Sequence, residues 1–432
     1  MRMLEEISNG LARWFPGAYL AGGCVRDALL DRDPADIDIV VPEAPGARAR
    51  EAAAALGGRV VGLGTPPDAV YRVVLPDRML DVTERVGGSF HADLLRRDFT
   101  VNAMGWDIGA RRIVDPAGGR ADLAKRRIRP VTPEVFARDP VRLVRALRFA
   151  AELEFALAPE TLEGLRRHAF RIARPAGERI RVELHKLVAT GRSAPFLRVM
   201  VETGILAGLL PDMDAPPDPG SCERLEAGFR NPSALPPEAA RAIRSLAPED
   251  RSALIHVALL RASGGGAAGA RARLDALAAR LRWSRRETER TKGLLACADR
   301  LAAFGTLPLE TPEQWTRTRE AGRFFRDCGI RLPAVLLLRR AEADPADVRL
   351  PARMERLLRR HRVVVLPRLG EPPLLAGRDL VETLGLPPSP RFREWLEAAE
   401  IERLRGAIHT REAALEAVRK RLEKPAPPDA AE

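Results

Sequence analysis

Every strand-like segment of this 432-residue chain falls before about residue 128. Short β-branched or apolar runs at Ala18 to Ala21, Ile37 to Val41, Arg59 to Val61, Val70 to Leu75, Met79 to Thr83 and Val101 to Asp107 are separated by turn residues. Helical patches at Val25 to Leu30 and Pro45 to Leu56 interrupt them. From about Pro133 the texture changes to amphipathic helices punctuated by Pro and Gly. The sequence therefore predicts an α+β fold: a mixed sheet with helices at the N-terminus, then an all-α remainder. Punctuation divides it into a head at 1–128, a neck at 129–190, a body at 191–350, a tail at 351–423 and a disordered end at 424–432. Leu210 to Pro237 and Ser263 to Gly269 read as joints or loops.

The charge balance points to a polyanionic partner. Lysines and arginines number 71 against 59 acids, a formal net charge of +12. Only Lys125, Lys186, Lys292, Lys420 and Lys424 are lysines, so the excess is arginine, whose planar fork suits phosphate. With 46% hydrophobic residues the chain can build real cores, which excludes a disordered tail protein. No apolar run reaches the ~18–20 residues of a membrane span, and no apolar signal core follows Met1. A cytoplasmic protein with no membrane partner is expected. Cys24, Cys222, Cys297 and Cys328 show no paired spacing, so four reduced, mostly buried thiols are expected rather than a zinc site or a disulfide framework.

Several stretches carry chemistry. In Leu20-Ala21-Gly22-Gly23-Cys24-Val25-Arg26-Asp27 a strand runs through two glycines into a helix. Backbone N–H groups at a positive helix end would be open to a phosphate; the same residues also make an ordinary tight turn. In Asp36-Ile37-Asp38-Ile39-Val40-Val41, alternation puts Asp36 and Asp38 on one face of a strand and Ile37, Ile39 and Val41 on the other. Adjacent carboxylates repel, and a divalent cation relieves the repulsion; oxygen ligands favour Mg²⁺. An exposed edge with solvated acids is the alternative. Asp81, within Arg78-Met79-Leu80-Asp81-Val82-Thr83, would complete a carboxylate cluster if its strand lay beside that of Asp36 and Asp38. Such clusters serve phosphoryl and nucleotidyl transfer. Alone, Asp81 reads equally as a solvated acid near a turn.

In Arg96-Arg97-Asp98-Phe99-Thr100-Val101-Asn102, Arg97 and Asn102 offer donors for phosphate and sugar hydroxyls, or belong to a charged loop. In Arg138-Asp139-Pro140-Val141-Arg142, Asp139 and Pro140 read as N-cap and first residue of a helix. With Arg142 one turn on, the pair can also read a base edge. A carboxylate accepts from an exocyclic amino group while an arginine donates to the neighbouring ring atom, which suits cytosine and adenine and rejects uracil and guanine.

In order and spacing, Gly22 to Asp27, Asp36-x-Asp38, Asp81 and Arg96 to Ala103 resemble the class II tRNA nucleotidyltransferases, the CCA-adding enzymes and their bacterial poly(A) polymerase relatives. The likeness continues through Asp115-Pro116-Ala117-Gly118-Gly119, the Asp139/Arg142 helix, and Glu178-Arg179-Ile180 with Glu183-Leu184. It is strongest over residues 1 to about 210; Leu375 to Leu380 and Gly406 to Arg411 resemble tail segments. The resemblance implies a polymerase-β-like nucleotidyltransferase head followed by an all-α neck, body and tail that hold the upper half of tRNA. It implies template-independent addition of C and A from CTP and ATP to the tRNA 3′ end. Asp36 and Asp38 would hold Mg²⁺, and Asp81 would deprotonate or orient the primer hydroxyl. Gly22, Gly23 and Arg26 would hold the triphosphate, Arg97 and Asn102 would contact sugar and phosphates, and Asp139 with Arg142 would select the base.

The chain departs from the pattern in places. Arg138 stands where the family usually has Glu. Residues 84–95, between Thr83 and Arg96, are shorter than the flexible loop that members adding all three nucleotides often carry there. A specialised CC-adding or A-adding enzyme is therefore an alternative, as are a poly(A) polymerase acting on general RNA and an inactive RNA-binding protein. In Leu254-Ile255-His256-Val257-Ala258, Val257 stands where relatives with a phosphohydrolase centre have a metal-binding Asp, so no such activity is expected. Arg271 to Lys292 reads as one basic helix that tracks phosphates or faces solvent.

Overall fold

The computed structural model describes residues 1–34, 36–65, 69–210, 213, 216–344 and 346–422. The expected disordered end, 424–432, lies outside the described residues. Two compact units divide the chain: residues 1–190 with 199–209, and residues 191–198 with 210 onward.

In the first unit a helix, α1 (Arg2–Leu11), precedes a seven-stranded mixed sheet. Its strands are β1 (Tyr19–Ala21), β2 (Asp36–Val41), β3 (Arg59–Leu63), β4 (Val70–Val74), β5 (Met79–Glu84), β6 (Gly105–Asp107) and β7 (Arg112–Val114), in spatial order β3-β4-β5-β2-β1-β6-β7. The central β2–β5 pair is parallel and every other neighbour antiparallel. Alternation explains why β2 is central: Ile37, Ile39 and Val41 are buried, while Asp36 and Asp38 project from the opposite face. Each such apolar side chain contributes about 1.5–3 kcal/mol on burial. Two helices, α2 (Gly23–Leu29) and α3 (Pro45–Leu56), follow β1 and β2; Pro45 opens α3 and Gly57, at φ +71°, closes it. Trp106 on β6 is fully buried and its indole N–H donates to Ser8 Oγ at 2.7 Å, which ties α1 to the sheet.

The remainder of this unit is mostly helical: α4 (Phe90–Leu95), α5 (Gly119–Ala124), α6 (Val135–Arg138), α7 (Arg142–Leu153), α8 (Pro159–His168) and α9 (Gly177–Ala189). An apolar stripe of Leu143, Val144, Leu147 and Ala151 buries α7. On its buried side Arg148 pairs with Glu183 of α9 at 2.6 Å.

Four sequence readings need correction here. The run from Val101 to Asp107 is not one strand: Thr100–Asn102 forms a 3₁₀ turn before β6. Asp98 captures the Phe99 N–H at 2.7 Å and the Asn102 side-chain amide at 3.1 Å, and these local bonds compete with strand pairing. The part after residue 129 is not wholly helical, because β9 (Ala156–Leu157) pairs in parallel with β8 (Arg127–Ile128). The Leu210 to Pro237 joint contains a helix, Gly220–Arg230. The basic stretch from Arg271 breaks at Arg282, which takes φ +51°, and Ser284 starts the next helix with a capping box to Glu287.

The second unit packs helices such as Pro248–Ala262, Gly266–Leu281, Arg285–Ala303, Arg319–Cys328 and Leu332–Glu342. Trp315, Phe324 and Phe325 meet in its core with ring centroids 5.3–5.9 Å apart. A separate apolar cluster of Leu380, Trp395, Ala414 and Val418 holds the last helices. The expectation of four reduced thiols fails for one pair: Cys297 and Cys328 are disulfide-bonded, with Cα atoms 5.6 Å apart. They are 31 residues apart in sequence, and only the side-by-side packing of their helices reveals the pairing. Cys24 and Cys222 are free and buried. Among the described residues no helix is long and apolar enough to cross a membrane.

Candidate active site

The strand register assembles an acidic face. Across the parallel β2–β5 pair Asp38 lies opposite Asp81, and Asp36 lies opposite Met79. The condition attached to Asp81 in the sequence, a strand beside that of Asp36 and Asp38, is met. Asp81 also lies opposite Arg72 across the antiparallel β4–β5 pair. Arg72 Nε and Nη2 donate to the two Asp81 carboxylate oxygens, each at 2.7 Å. Nothing in the sequence pointed to Arg72.

Gly22 closes the face on one side. It adopts φ +76°, a conformation that disfavours side chains, and its N–H donates to Met104 O at 3.0 Å. A Cβ there would collide with the Arg97 guanidinium and come within 3.2 Å of Asp38 Oδ2. Glycine at this position therefore lets Arg97 and Asp38 share the space. Arg97 is suspended between two acids, 3.9 Å from Asp38 and 3.8 Å from Asp93, and its buried Nε has no hydrogen-bond partner. A guanidinium held this loosely has donors to offer an anion.

Arg26 is placed differently. Its Nε and Nη2 bond Asp27 at 2.8 and 2.9 Å, its Nη1 donates to Asn102 Oδ1 at 2.6 Å, and it is 5% exposed. Arg26 and Asn102 therefore form the floor of the cleft, with Gly23 at the start of α2 beside them. Asn102 leans in turn on Asp98, which pairs with Arg145 of α7 at 2.8 Å.

Asp139 does not cap α7. The helix begins at Arg142 with Val141 as its N-cap residue, and Asp139 Oδ1 accepts only a 3.4 Å bond from Val141 N. Its other oxygen accepts from Arg179 of α9 at 2.8 Å, while Arg142 stands 3.7 Å away. The acid that the helix-cap reading would occupy is thus engaged by side chains. Arg179 lay inside a motif noted in the sequence, but no role was assigned to it.

Gly23, Arg26, Asp36, Asp38, Asp81, Arg97, Asn102, Asp139 and Arg142 share one cleft of about 510 Å³, while Gly22, Arg72 and Arg179 act on it through Arg97, Asp81 and Asp139 without lining it. Burial raises the Asp38 carboxyl above the usual carboxylate range; Arg97 opposes this, and repulsion from Asp81 and Asp36 adds to it. A carboxylate strained in this way, beside exposed Asp36, suits a hard divalent ion. Asp36 and Asp38 make an open, two-acid site; among the described residues no three His, Cys, Asp or Glu side chains form a closed set of ligands. Burial pushes the Cys24 thiol in the same cleft up to about 12, so it is no nucleophile.

A mixed sheet that presents carboxylates across a parallel strand pair, with an arginine-lined cleft above, defines a nucleotidyltransferase head. Residues 18–63 and 69–129 match the model of the poly A polymerase head domain, and residues 154–215 match that of a probable RNA and SrmB-binding site of polymerase A. The CC-adding tRNA nucleotidyltransferase of Geobacter sulfurreducens is 35% identical and covers 95% of this chain and 94% of its own. That of Synechocystis is 31% identical over 95% of each. A Bacillus stearothermophilus CCA-adding enzyme in complex with CTP superposes with a TM-score of 0.68 at 26% identity, covering 98% of both chains. The chain belongs to the tRNA nucleotidyltransferase family.

Proposed function

We propose that this chain extends the 3′ end of tRNA with C and A from CTP and ATP, without a template strand, in the cytoplasm and with Mg²⁺. The observation that carries this reading is the cleft itself. The register-matched Asp38 and Asp81 and the base-edge pair Asp139/Arg142 share one recess. Asp36 and Asp38 would hold the divalent ion, which when bound offsets triphosphate charge and eases loss of the primer hydroxyl proton. Asp81, its plane held by Arg72, accepts a hydrogen bond from that hydroxyl and aims it. Arg97 grips the triphosphate with its free donors; Gly22 and Gly23 let it approach the backbone, and Arg26 and Asn102 support it from below. Asp139 accepts from the exocyclic amino group of C or A while Arg142 donates to the adjacent ring atom. The helical body and tail, with their arginine excess, hold tRNA in a salt-dependent manner.

Within that activity a narrower reading, addition of the two cytidines only, has specific support. Three relatives that match nearly the whole chain, those of Geobacter sulfurreducens, Synechocystis and Thermus thermophilus, are named CC-adding. Residues 84–95 are also anchored rather than free: Ser89 caps α4 by accepting from Ala92 N at 3.1 Å, and Asp93 accepts from Val86 N at 3.3 Å. Phe90 stacks on Tyr19 with centroids 3.8 Å apart. A segment braced within itself and stacked on β1 through Phe90 makes a poor lever for switching from C to A.

One assay separates these outcomes. Transcripts of tRNA ending before CCA, after C and after CC are offered CTP and ATP, singly and together. Termination after a single A supports full addition; a stop at CC with ATP unused supports the narrower reading. A long A ladder on any RNA would mark a poly(A) polymerase, and tRNA binding without incorporation of either nucleotide would mark an inactive RNA-binding protein.

A further inference from the structure

Arg72 sits in Val70-Tyr71-Arg72-Val73-Val74, an apolar strand with a single charge. Its neighbours in the sheet give that charge a place. Arg72 lies opposite Asp81, and Asp81 lies opposite Asp38, so one row crosses β4, β5 and β2. Both Asp81 oxygens are held at 2.7 Å by the guanidinium fork. Fork-to-carboxylate pairing fixes the plane of the carboxylate as well as its position, whereas a lone Asp turns broadly about its terminal torsion. Asp38 receives no comparable partner, since Arg97 stands 3.9 Å away, and Asp36 is exposed.

Resting on the nucleotidyl-transfer reading above, we propose that Arg72 is a positioning residue: it fixes Asp81 as the group that aims the primer 3′ hydroxyl and leaves Asp36 and Asp38 to hold the divalent ion. No bond forms or breaks at Arg72, and its charge offsets one of the three acids on this face. Two consequences distinguish this role from packing. Without the fork Asp81 turns, and transfer slows. Without the positive charge the acidic face becomes more negative, and a divalent ion binds more tightly. A packing defect would weaken both.

The test compares wild type, Arg72→Gln and Arg72→Lys in CTP incorporation on a tRNA ending before CCA, and titrates each protein with Mn²⁺ alone by electron paramagnetic resonance. Arg72→Gln is expected to lower kcat roughly 10–100-fold while KM for CTP and for tRNA stays within about twofold. Mn²⁺ should bind it several-fold more tightly. Arg72→Lys keeps the charge without the fork, so it should recover part of kcat and bind Mn²⁺ as wild type does; it carries the test if the Gln variant does not fold. In an Asp81→Asn background Arg72→Gln should cost nothing further, because the two residues act as a unit. An active wild type with unchanged kcat in Arg72→Gln overturns the role, as does weaker Mn²⁺ binding or an undiminished second loss in the double variant. A wild type that incorporates no nucleotide overturns the parent reading instead.

Discussion

The two ends of the cleft are built on different principles. At the sheet end the positions are set by backbone register: Asp38 opposite Asp81, and Asp81 opposite Arg72 with both bonds at 2.7 Å. At the helix end Asp139, Arg142 and Arg179 come from a turn and two helices, and Arg142 stands 3.7 Å from its acid. A strand ladder holds groups that must not move during phosphoryl transfer. Side chains at helix starts can shift by an ångström, which the proposed base-selecting role can use. In the roles proposed above, chemistry is tied to the rigid end and choice to the adjustable one.

The largest effect should come from the rigid end. Asp36→Ala or Asp38→Ala is expected to reduce nucleotide transfer on the order of 10³-fold or more, because charge stabilisation at the reacting phosphate is lost. Affinity for tRNA, measured by filter binding, should change less than about threefold. Retained turnover in both variants would sink the assignment of the metal site, and with it the contrast between the ends.

The helix end is held by charge where the sheet end is held by a ladder. Arg148 and Glu183 are both nearly buried and 2.6 Å apart, joining α7 to α9. Glu183→Ala leaves Arg148 only its pair with the more exposed Glu152 on its own helix and should destabilise the protein by about 2 kcal/mol in urea unfolding. The helix end should loosen first, seen as faster amide exchange in α7 and α9 than in β2 and β5. Equal loosening of both ends would show that the sheet depends on this pair.

Arg142→Ala should act on choice more than on rate. A good base-edge contact is worth about 1–3 kcal/mol, so discrimination of CTP against UTP should fall roughly tenfold or more while turnover with CTP changes less. Unchanged discrimination would leave Asp139 and Arg142 as a structural turn.

The same difference decides what was legible in the sequence. Strand alternation announced Asp36 and Asp38, because a period of two fixes which side chains share a face, whereas Asp81 had a role only on the condition that its strand lay beside theirs or through the family resemblance. Gly22 was legible because two glycines between a strand and a helix mark a positive-φ turn. Arg72 was not, since its meaning depends on which strands become neighbours, and an antiparallel partner nine residues away leaves no local mark. Asp139 was half legible: Asp-Pro is a helix-start signal, and only tertiary packing brings Arg179, 40 residues on, to its carboxylate. The Cys297–Cys328 pair was misread for the same reason, since helix packing brings the two residues together without any local spacing signal.

The smallest effect tests the strain at the rigid end. Burial, helped by Asp81 and Asp36 and resisted by Arg97, raises the Asp38 carboxyl, so the native state holds that proton to higher pH than the unfolded chain does. Above the raised value the charged carboxylate weighs fully against folding; below the ordinary value of about 3.9 both states are protonated and the penalty disappears. Asp38→Asn removes the charge. In metal-free buffer at pH 8 its Tm should exceed that of wild type by only about 1 °C, because solvent screens a side chain that is 43% exposed, and the gap should close as the pH falls toward 4. Added Mg²⁺ should raise the Tm of wild type and leave the variant nearly unmoved. A variant less stable than wild type at pH 8 would mean that Asp38 is comfortable as an anion, and that the sheet end has no unmet charge for a cation to satisfy.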